Sequence, residues 1–444
     1  MDLLRPKDGC RRARRPVVVD GAQLLVAALA TSADALDALK RYPRTVKLDK
    51  TLVLPGPKPK RVRLRVVKSA LEQTLWSAKG VPKVTKKAFA SAQVAAREFD
   101  KAVRKKMRDD YVFIAEPSDP GDIVFEAFAP GGGGGAVLDM SPDGTLIATA
   151  SITSEASFGA KLEVVEVATG ARRVIVDEPG GTTQNFLHAA LFDREAKSLY
   201  YVLRGDTYRV DLATGKQKRI AVGQDGALNP FVVQPSFDTE RKRLVVFAKG
   251  PFVRVLDEKG ATVLEVSTKS KTTECRAARI SPSGRLLAVY IASRGLIYGH
   301  DDAKNDTTNE VHIWDIEAGE KWETVVIPQE LHRVGLTPDD ETLLVTYDHA
   351  RGPVALEIPS GRQRWKLVDP STPKTLAHTS AWAYSPDGKR LARTGNSVHL
   401  LDATTRKPVV ELSEVFGRTD CPVFSRDGKR LAASSDGTAI VYAI

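Results

Sequence analysis

Between residues 140 and 430 the apolar and polar positions follow one recurring sentence: an apolar residue, a tight turn, then an apolar-polar alternation. The clearest copies are MSPDGTLIA from Met140, ISPSGRLLA from Ile280, YSPDGKRLA from Tyr384 and FSRDGKRLA from Phe424. FDREAKSLY from Phe192, FDTERKRLV from Phe237 and LTPDDETLL from Leu336 are weaker copies. Taking Asp143, Asp193, Asp238, Ser283, Asp339, Asp387 and Asp427 as the turn position, the copies are 40 to 56 residues apart. Proline presets φ in such a turn, Asp or Ser bonds back to the local backbone, and glycine accepts positive φ. With alternating residues on both sides, each copy predicts a β-hairpin.

A third strand follows each hairpin and ends in an acid and a turn, as in LEVVEVATG from Leu162, YRVDLATG from Tyr208, HIWDIEAG from His312 and HLLDATT from His399. A fourth apolar stretch comes next, for example RRVIVDE from Arg172 and KPVVELS from Lys407. Four antiparallel strands in a unit of this length make one propeller blade. Residues 122–444 resemble the WD-repeat family. Trp314-Asp315 is its one Trp-Asp pair; elsewhere the acid stays while Val210, Leu256 or Leu401 replaces the tryptophan. The resemblance implies an all-β, seven-bladed propeller that works as a protein-interaction scaffold. The last copy is followed by a single strand, Thr438 to Ala443, and a lone strand from Ile123 precedes the first copy. Pairing of the two is expected to close the ring.

Charge divides the chain. Residues 1–120 hold 27 Lys and Arg against 13 Asp and Glu, while the whole chain has 66 against 55. The propeller is therefore near neutral, and the basic excess belongs to an N-terminal α/β module assigned to residues 1–115. In it we expect a strand at Val17–Val19, helical material to Arg41, and a helix from about Ser91 to Arg108. Ala92, Ala95, Phe99, Val103 and Met107 recur at three- and four-residue steps and form its apolar stripe. Residues 75–114 resemble the second half of a WGR domain: Trp76 is kept, Ser77 and Ala78 replace Gly and Arg, and Asp110-Tyr111 replaces the closing Gly-Tyr. That resemblance implies nucleic-acid binding. Independently, 16 Lys and Arg against three acids in residues 58–108 point to a polyanion, nucleic acid or an acidic protein, with Lys79, Lys83, Lys86, Lys87, Arg104 and Lys105 as candidate contacts.

No phosphate-binding loop, nucleophile elbow, HExxH helix or CxxC pair occurs. The reading is therefore no enzyme and no cofactor or metal. Gly131 to Gly135 is expected to be a connector. Cys10, Cys275 and Cys421 form no disulfide framework, which favours a reducing, cytoplasmic setting. Arg11 to Ala33 imitates a secretion signal, but Asp20 and Gln23 interrupt its apolar part, so it is assigned to the module. No stretch approaches the 18 apolar residues of a membrane span, so no membrane partner is expected.

Candidate interaction residues lie on one rim. His300, Asp301 and Asp302 fall in an extended link of the fourth repeat. Asp139, His188, Gln234, Arg276, Arg279, His332, Arg333 and Asp420 come at or near the starts of innermost strands, toward the channel mouth. Their mixed sign argues against a single charged substrate pocket. Trp382 and Phe192 are expected to pack between blades. The alternative is a channel-mouth enzyme such as a metal-dependent lactonase-like propeller, motivated by the acids and histidines of that rim.

Overall fold

The computed structural model describes residues 48–76, 81–117, 119–129, 137–152, 160–178, 187–222, 236–238, 240–248, 252–268, 272–293, 308–347, 352–367, 381–395, 398–410, 412, 419–435 and 437–444. Leu48–Ile444 form one compact unit; residues 1–47, with the signal-like segment and the expected early strand and helix, lie outside the described residues, as does the glycine run.

The hairpin copies fold for a reason visible in every one of them. The residue opening the turn accepts a backbone N–H from the residue three positions on, in all seven: Gly144 to Ser141, Ala196 to Asp193, Arg241 to Asp238, Gly284 to Ser281, Asp340 to Thr337, Gly388 to Ser385 and Gly428 to Ser425. In the strong copies the opening hydroxyl also works twice. Ser141 Oγ donates to Asp143 at 2.6 Å and accepts the Leu146 N–H at 2.9 Å, and Ser385 and Ser425 repeat this. The fourth turn residue has positive φ throughout. The weak copies place Ala196, Arg241 and Asp340 there, at φ 53, 54 and 61, where the strong ones have glycine. An L-residue in that region costs about 1–2 kcal/mol, which the surrounding ladder offsets.

The acid after each third strand has its own local role. Asp211 Oδ1 accepts the Thr214 N–H at 2.7 Å, Asp402 the Thr405 N–H at 2.6 Å, and Asp315 the Glu317 and Ala318 N–H groups at 3.0 Å. This turn needs the carboxylate and not the neighbouring tryptophan, which is why the acid persists where Trp314 is replaced.

Six free-standing four-stranded antiparallel sheets result, opening with strands Val137–Met140, Leu187–Phe192, Ser236–Phe237, Thr273–Ile280, Leu331–Leu336 and Trp382–Tyr384. Among the described residues they form an all-β propeller with one helix, and the expected seventh separate blade is not found there. The last hairpin, Thr419–Phe424 with Arg430–Ser435, and the strand Thr438–Ala443 belong instead to a nine-stranded sheet. There Thr438–Ala443 pairs antiparallel with β6 (Ile123–Phe128), through Thr438↔Phe128, Ala439↔Ala127 and Ile440↔Glu126. β6 then pairs with β5 (Val112–Ile114), and the sheet continues through β1 (Asp49–Leu54), β2 (Lys60–Val67), β3 (Ala70–Trp76) and β4 (Lys83–Ala88). The reason is an unfilled edge. β6 is the outer strand of its group, and an unpaired outer strand offers free N–H and C=O groups that β5 satisfies.

Helix α1 (Ala92–Arg108) is capped by Ser91, whose hydroxyl accepts the Val94 N–H at 3.2 Å. It buries Ala95, Phe99, Val103 and Met107; Ala92, expected on the same stripe, is exposed because it precedes the first turn that meets the sheet. The buried face packs with Leu52, Val62, Leu64 and Tyr111, and Phe128 of β6 lies against the same cluster. A second cluster joins Val112 of β5 to Phe125, Ala127, Val137, Met140, Val165, Ala432 and Val441. Gly170, at φ 72, lies so close that a Cβ would sit 2.5 Å from Val112 Cγ2. The described part of the module, from Leu48 on, shares a core as well as a sheet with the propeller.

Lys50 on β1 forms an ion pair with Glu126 on β6, whose side chain is 8% exposed. Removing one partner strands a buried charge, at about 3 kcal/mol; removing both leaves apolar surface. Lys50→Met is expected to lower unfolding stability by about that amount, and Lys50→Met with Glu126→Met to recover most of it. Equal losses in the single and double variants, by urea denaturation, would contradict this.

The turn carboxylates couple the fold to pH. The Ser385 hydroxyl, followed by the Lys389 N–H, holds Asp387 below the ordinary carboxylate range. Thr405 does the same to Asp402, and Thr214 to Asp211, each chiefly through its backbone N–H. A depressed folded pKa stabilises fully above the unfolded value, near about 4, and that contribution is lost as pH falls through the folded value. The urea midpoint is expected to hold from about pH 7 to 5 and to fall below about pH 4. Asp387→Asn with Asp402→Asn should flatten the acid limb, and an unchanged limb would count against the assignment.

Candidate functional site

The innermost strands surround a cavity of about 240 Å³. The position two residues before each turn points into it: Asp139, Leu191, Ser236, Arg279, Ala383 and Val423 all line it. In the fifth sheet that position is Gly335, and the Trp382 ring of the sixth sheet occupies the space where a Cβ would stand. Trp382 therefore packs across two neighbouring sheets and also borders the cavity. Phe192 is fully buried among Ala148, Leu162, Leu199 and Tyr201, between the first and second sheets.

Two turns reach across the channel. Arg241, in the turn of the third sheet, donates to Asp139 of the first sheet at 2.8 and 3.1 Å. It also donates to the carbonyls of Phe192 at 2.5 Å and Met140 at 3.3 Å, while Asp139 accepts the Phe192 N–H at 2.7 Å. One guanidinium thus ties three sheets together. Arg426, in the last hairpin, donates to Glu240 at 2.6 Å, and its own N–H donates to the Pro142 carbonyl at 2.7 Å. Arg194 approaches the same Glu240 at 3.5 Å. Arg241 is the side chain that sequence reasoning missed. Its signal was an arginine in place of the turn glycine.

The expected channel residues divide. Asp139 is buried and bonded to Arg241, so it is not exposed at a mouth. Arg276 is 2% exposed and faces Glu274 at 3.1 Å and Glu330 at 3.7 Å, which engages it inside the ring and corrects its assignment as a rim contact. Arg279 and Arg333 both line the cavity. His188, His332 and Asp420 lie on innermost strands, and their side chains are outside the described residues, as are His300, Asp301, Asp302 and Gln234. Among the described residues no group of three or more His, Cys, Asp or Glu side chains converges as a metal site. Burial pushes the Cys275 thiol up to about 12, so it carries no nucleophile at neutral pH.

The basic candidates of the module fall on two faces. Along the β3–β4 register Lys83 opposes Leu75 and Lys87 opposes Leu71, whereas Lys86 opposes Glu72 on the other face. Lys86 bonds Glu72 at 3.1 Å, and Arg65 bonds the same carboxylate at 2.7 Å. Arg104 and Lys105 are exposed on α1, and Lys79 lies outside the described residues. Every residue of β4 is exposed. Lysines along a free edge also discourage sheet-to-sheet association, a structural role they fill regardless of any ligand.

Among the described residues no helix is long and apolar enough to cross a membrane. No family profile matches the chain and no curated protein matches it. The WGR resemblance is therefore without support from these comparisons. Among solved structures 1314 chains match, so the architecture is common and by itself selects no partner. One is a chain of the crystal structure of the mitotic checkpoint complex, at 14% identity and a TM-score of 0.50, covering 74% of this chain and 95% of that one. At that identity the likeness is one of fold: the chain has the β-propeller fold.

Proposed function

We propose that the chain is a non-enzymatic propeller scaffold that binds a protein partner and holds a basic module at a fixed position beside it. The nine-stranded sheet carries this reading. A scaffold gains from presenting two surfaces in one geometry, because neither contact then loses the freedom of a linker. The continuous ladder from Thr438–Ala443 through β6 and β5 to β1, with the cluster around Val112, supplies that rigidity. We take the ring as seven-bladed in function, the last hairpin, Thr438–Ala443 and β6 acting as a blade that also bears the module. The use of Arg241, Arg426 and Asp139 in cross-ring bonds also favours binding over turnover.

The module's excess of cations favours a polyanionic contact, and nucleic acid is the arm that can be tested directly. Because the module shares its core with the propeller, the full chain is the species to use. Duplex DNA binding is expected to weaken about 10³-fold or more between 50 and 200 mM salt if six or more phosphates are neutralised. Lys83→Glu, Lys87→Glu, Arg104→Glu and Lys105→Glu together should weaken it at least tenfold and flatten the salt slope. An unaltered slope in that variant would eliminate nucleic acid and leave an acidic protein as the module's partner. Turnover of esters, lactones or phosphoesters by the wild-type chain, above a heat-denatured control, would overturn the non-enzymatic reading.

A further inference from the structure

Free strand edges can be compared within this one chain. Each of the six four-stranded sheets ends on an outer strand, and in all six the ladder holding that strand shifts register. The shift falls between Val174 and Val176 in the first sheet, Ile313 and Trp314 in the fourth, and Leu400 and Leu401 in the sixth. Such bulges twist an edge and spoil it as a template for another strand. The ladder of Thr438–Ala443 with β6 shifts as well, between Val441 and Tyr442, and β5 pairs with the outer side of β6. β4 is different. Its ladder with β3 runs from Ala70↔Ala88 to Leu75↔Lys83 with no shift and no proline. Among the described residues no strand pairs with its outer side.

The register also says which backbone groups face outward. The Phe89 N–H donates to the Ser69 carbonyl at 2.9 Å, one step beyond Ala70↔Ala88. Directly opposed residues of an antiparallel pair alternate between bonded and non-bonded, so Lys83, Thr85 and Lys87 turn their backbone groups to β3. Val84, Lys86 and Ala88 turn theirs outward. The side chains along this row are of one kind: β4 bears three lysines and no acid, and Val84 is 60% exposed. Glu72, the facing acid of β3, is already engaged by Arg65 and Lys86. Lysines on an edge deter a strand of neutral or basic character. They admit an acidic one, because opposite charges directly across a ladder stabilise it.

We propose that β4 is a docking edge for an acidic, extended segment of a partner protein, which adds to the sheet as a further strand. In an antiparallel guest, acids opposite Lys83 and Lys87 share one face, and an acid opposite Lys86 shares the other with an apolar residue opposite Val84. Main-chain bonds to Val84, Lys86 and Ala88 supply affinity, and the side chains across the ladder supply selection. A nucleic-acid backbone can meet the lysines but cannot continue the ladder of N–H and C=O groups, so the edge favours a peptide. The inference rests on the scaffold reading and names the acidic protein as the module's contact.

The test uses the full chain and short capped peptides carrying a fluorescent label, read by anisotropy. Ser-Val-Glu-Glu-Thr-Val-Glu-Ser places acids opposite all three lysines in the antiparallel register and should bind; the same peptide with lysine for glutamate should not. N-methylation of both valines keeps every charge and removes two N–H groups aimed at the edge, so binding should fall about tenfold or more. Val84→Pro keeps the lysines and the bonds to β3, loses one outward N–H, and should weaken the unmodified peptide to a similar degree. If that variant does not fold, the comparison of the two peptides on the wild type still decides. Equal binding of the unmodified and N-methylated peptides would overturn strand addition and leave a charged docking surface standing. Duplex DNA binding with no peptide binding would assign the lysines to nucleic acid and overturn it. So would a wild-type dimer that Val84→Pro dissociates, which would give the edge to a second copy. Failure of every peptide and of DNA would remove the module's contact from the scaffold reading as well.

Discussion

The pairing of Thr438–Ala443 with β6 is the contact on which the architecture depends. A ring of sheets has no end that local interactions alone can seal, and here a ladder between segments about 310 residues apart does it. The closure is laced a second time at the turns. Arg430 donates to the Gly144 carbonyl at 2.7 Å, and Arg426 N–H to Pro142, each joining the last hairpin to the first. Similar stitches run between other neighbours: Arg243 donates to the Gly284 carbonyl, and Arg285 to Asp340 at 3.2 Å. Because these bonds land on turns, the turn geometry matters for more than the hairpin that contains it.

That dependence explains why the weak copies persist. Ala196, Arg241 and Asp340 adopt a backbone conformation that glycine would take more easily. Two of the three have visible compensation. Arg241 spans three sheets from its strained position, and Asp340 accepts from Ser283 and Arg285 of the preceding sheet. A glycine could make the turn but neither connection. For Ala196 the structure shows no such return.

The hairpins, the acid-ended third strands and α1 could all be read from the chain, because each is set by residues within a few positions of one another. The serine hydroxyl of the Ser-x-Asp-Gly turn bonds within its own hairpin, and the stripe Ala95, Phe99, Val103, Met107 is a local period. What escaped the reading is long-range. Nothing near Val112 or Ile114 announces that β5 will extend a propeller sheet, since the edge it covers is created by the far end of the chain. Arg276 reads as a rim cation until Glu330 comes to within 3.7 Å from a distant connection. Asp139 reads as an exposed acid until Arg241 arrives from two sheets away. Basic clustering in the module was legible as a count, but the division of Lys83 and Lys87 from Lys86 follows from the β3–β4 register.

A repeat supplies its own control, and this changes how its exceptions should be weighed. Every sheet must solve the same packing problem at the inner strand, so residues that recur there report on the fold. A residue that appears once, against small or apolar equivalents, must draw its justification from elsewhere, because a guanidinium moved from water into a packed channel loses solvation that Ala or Val never had to give up. Arg241 meets that demand within the ring, through one carboxylate and two carbonyls.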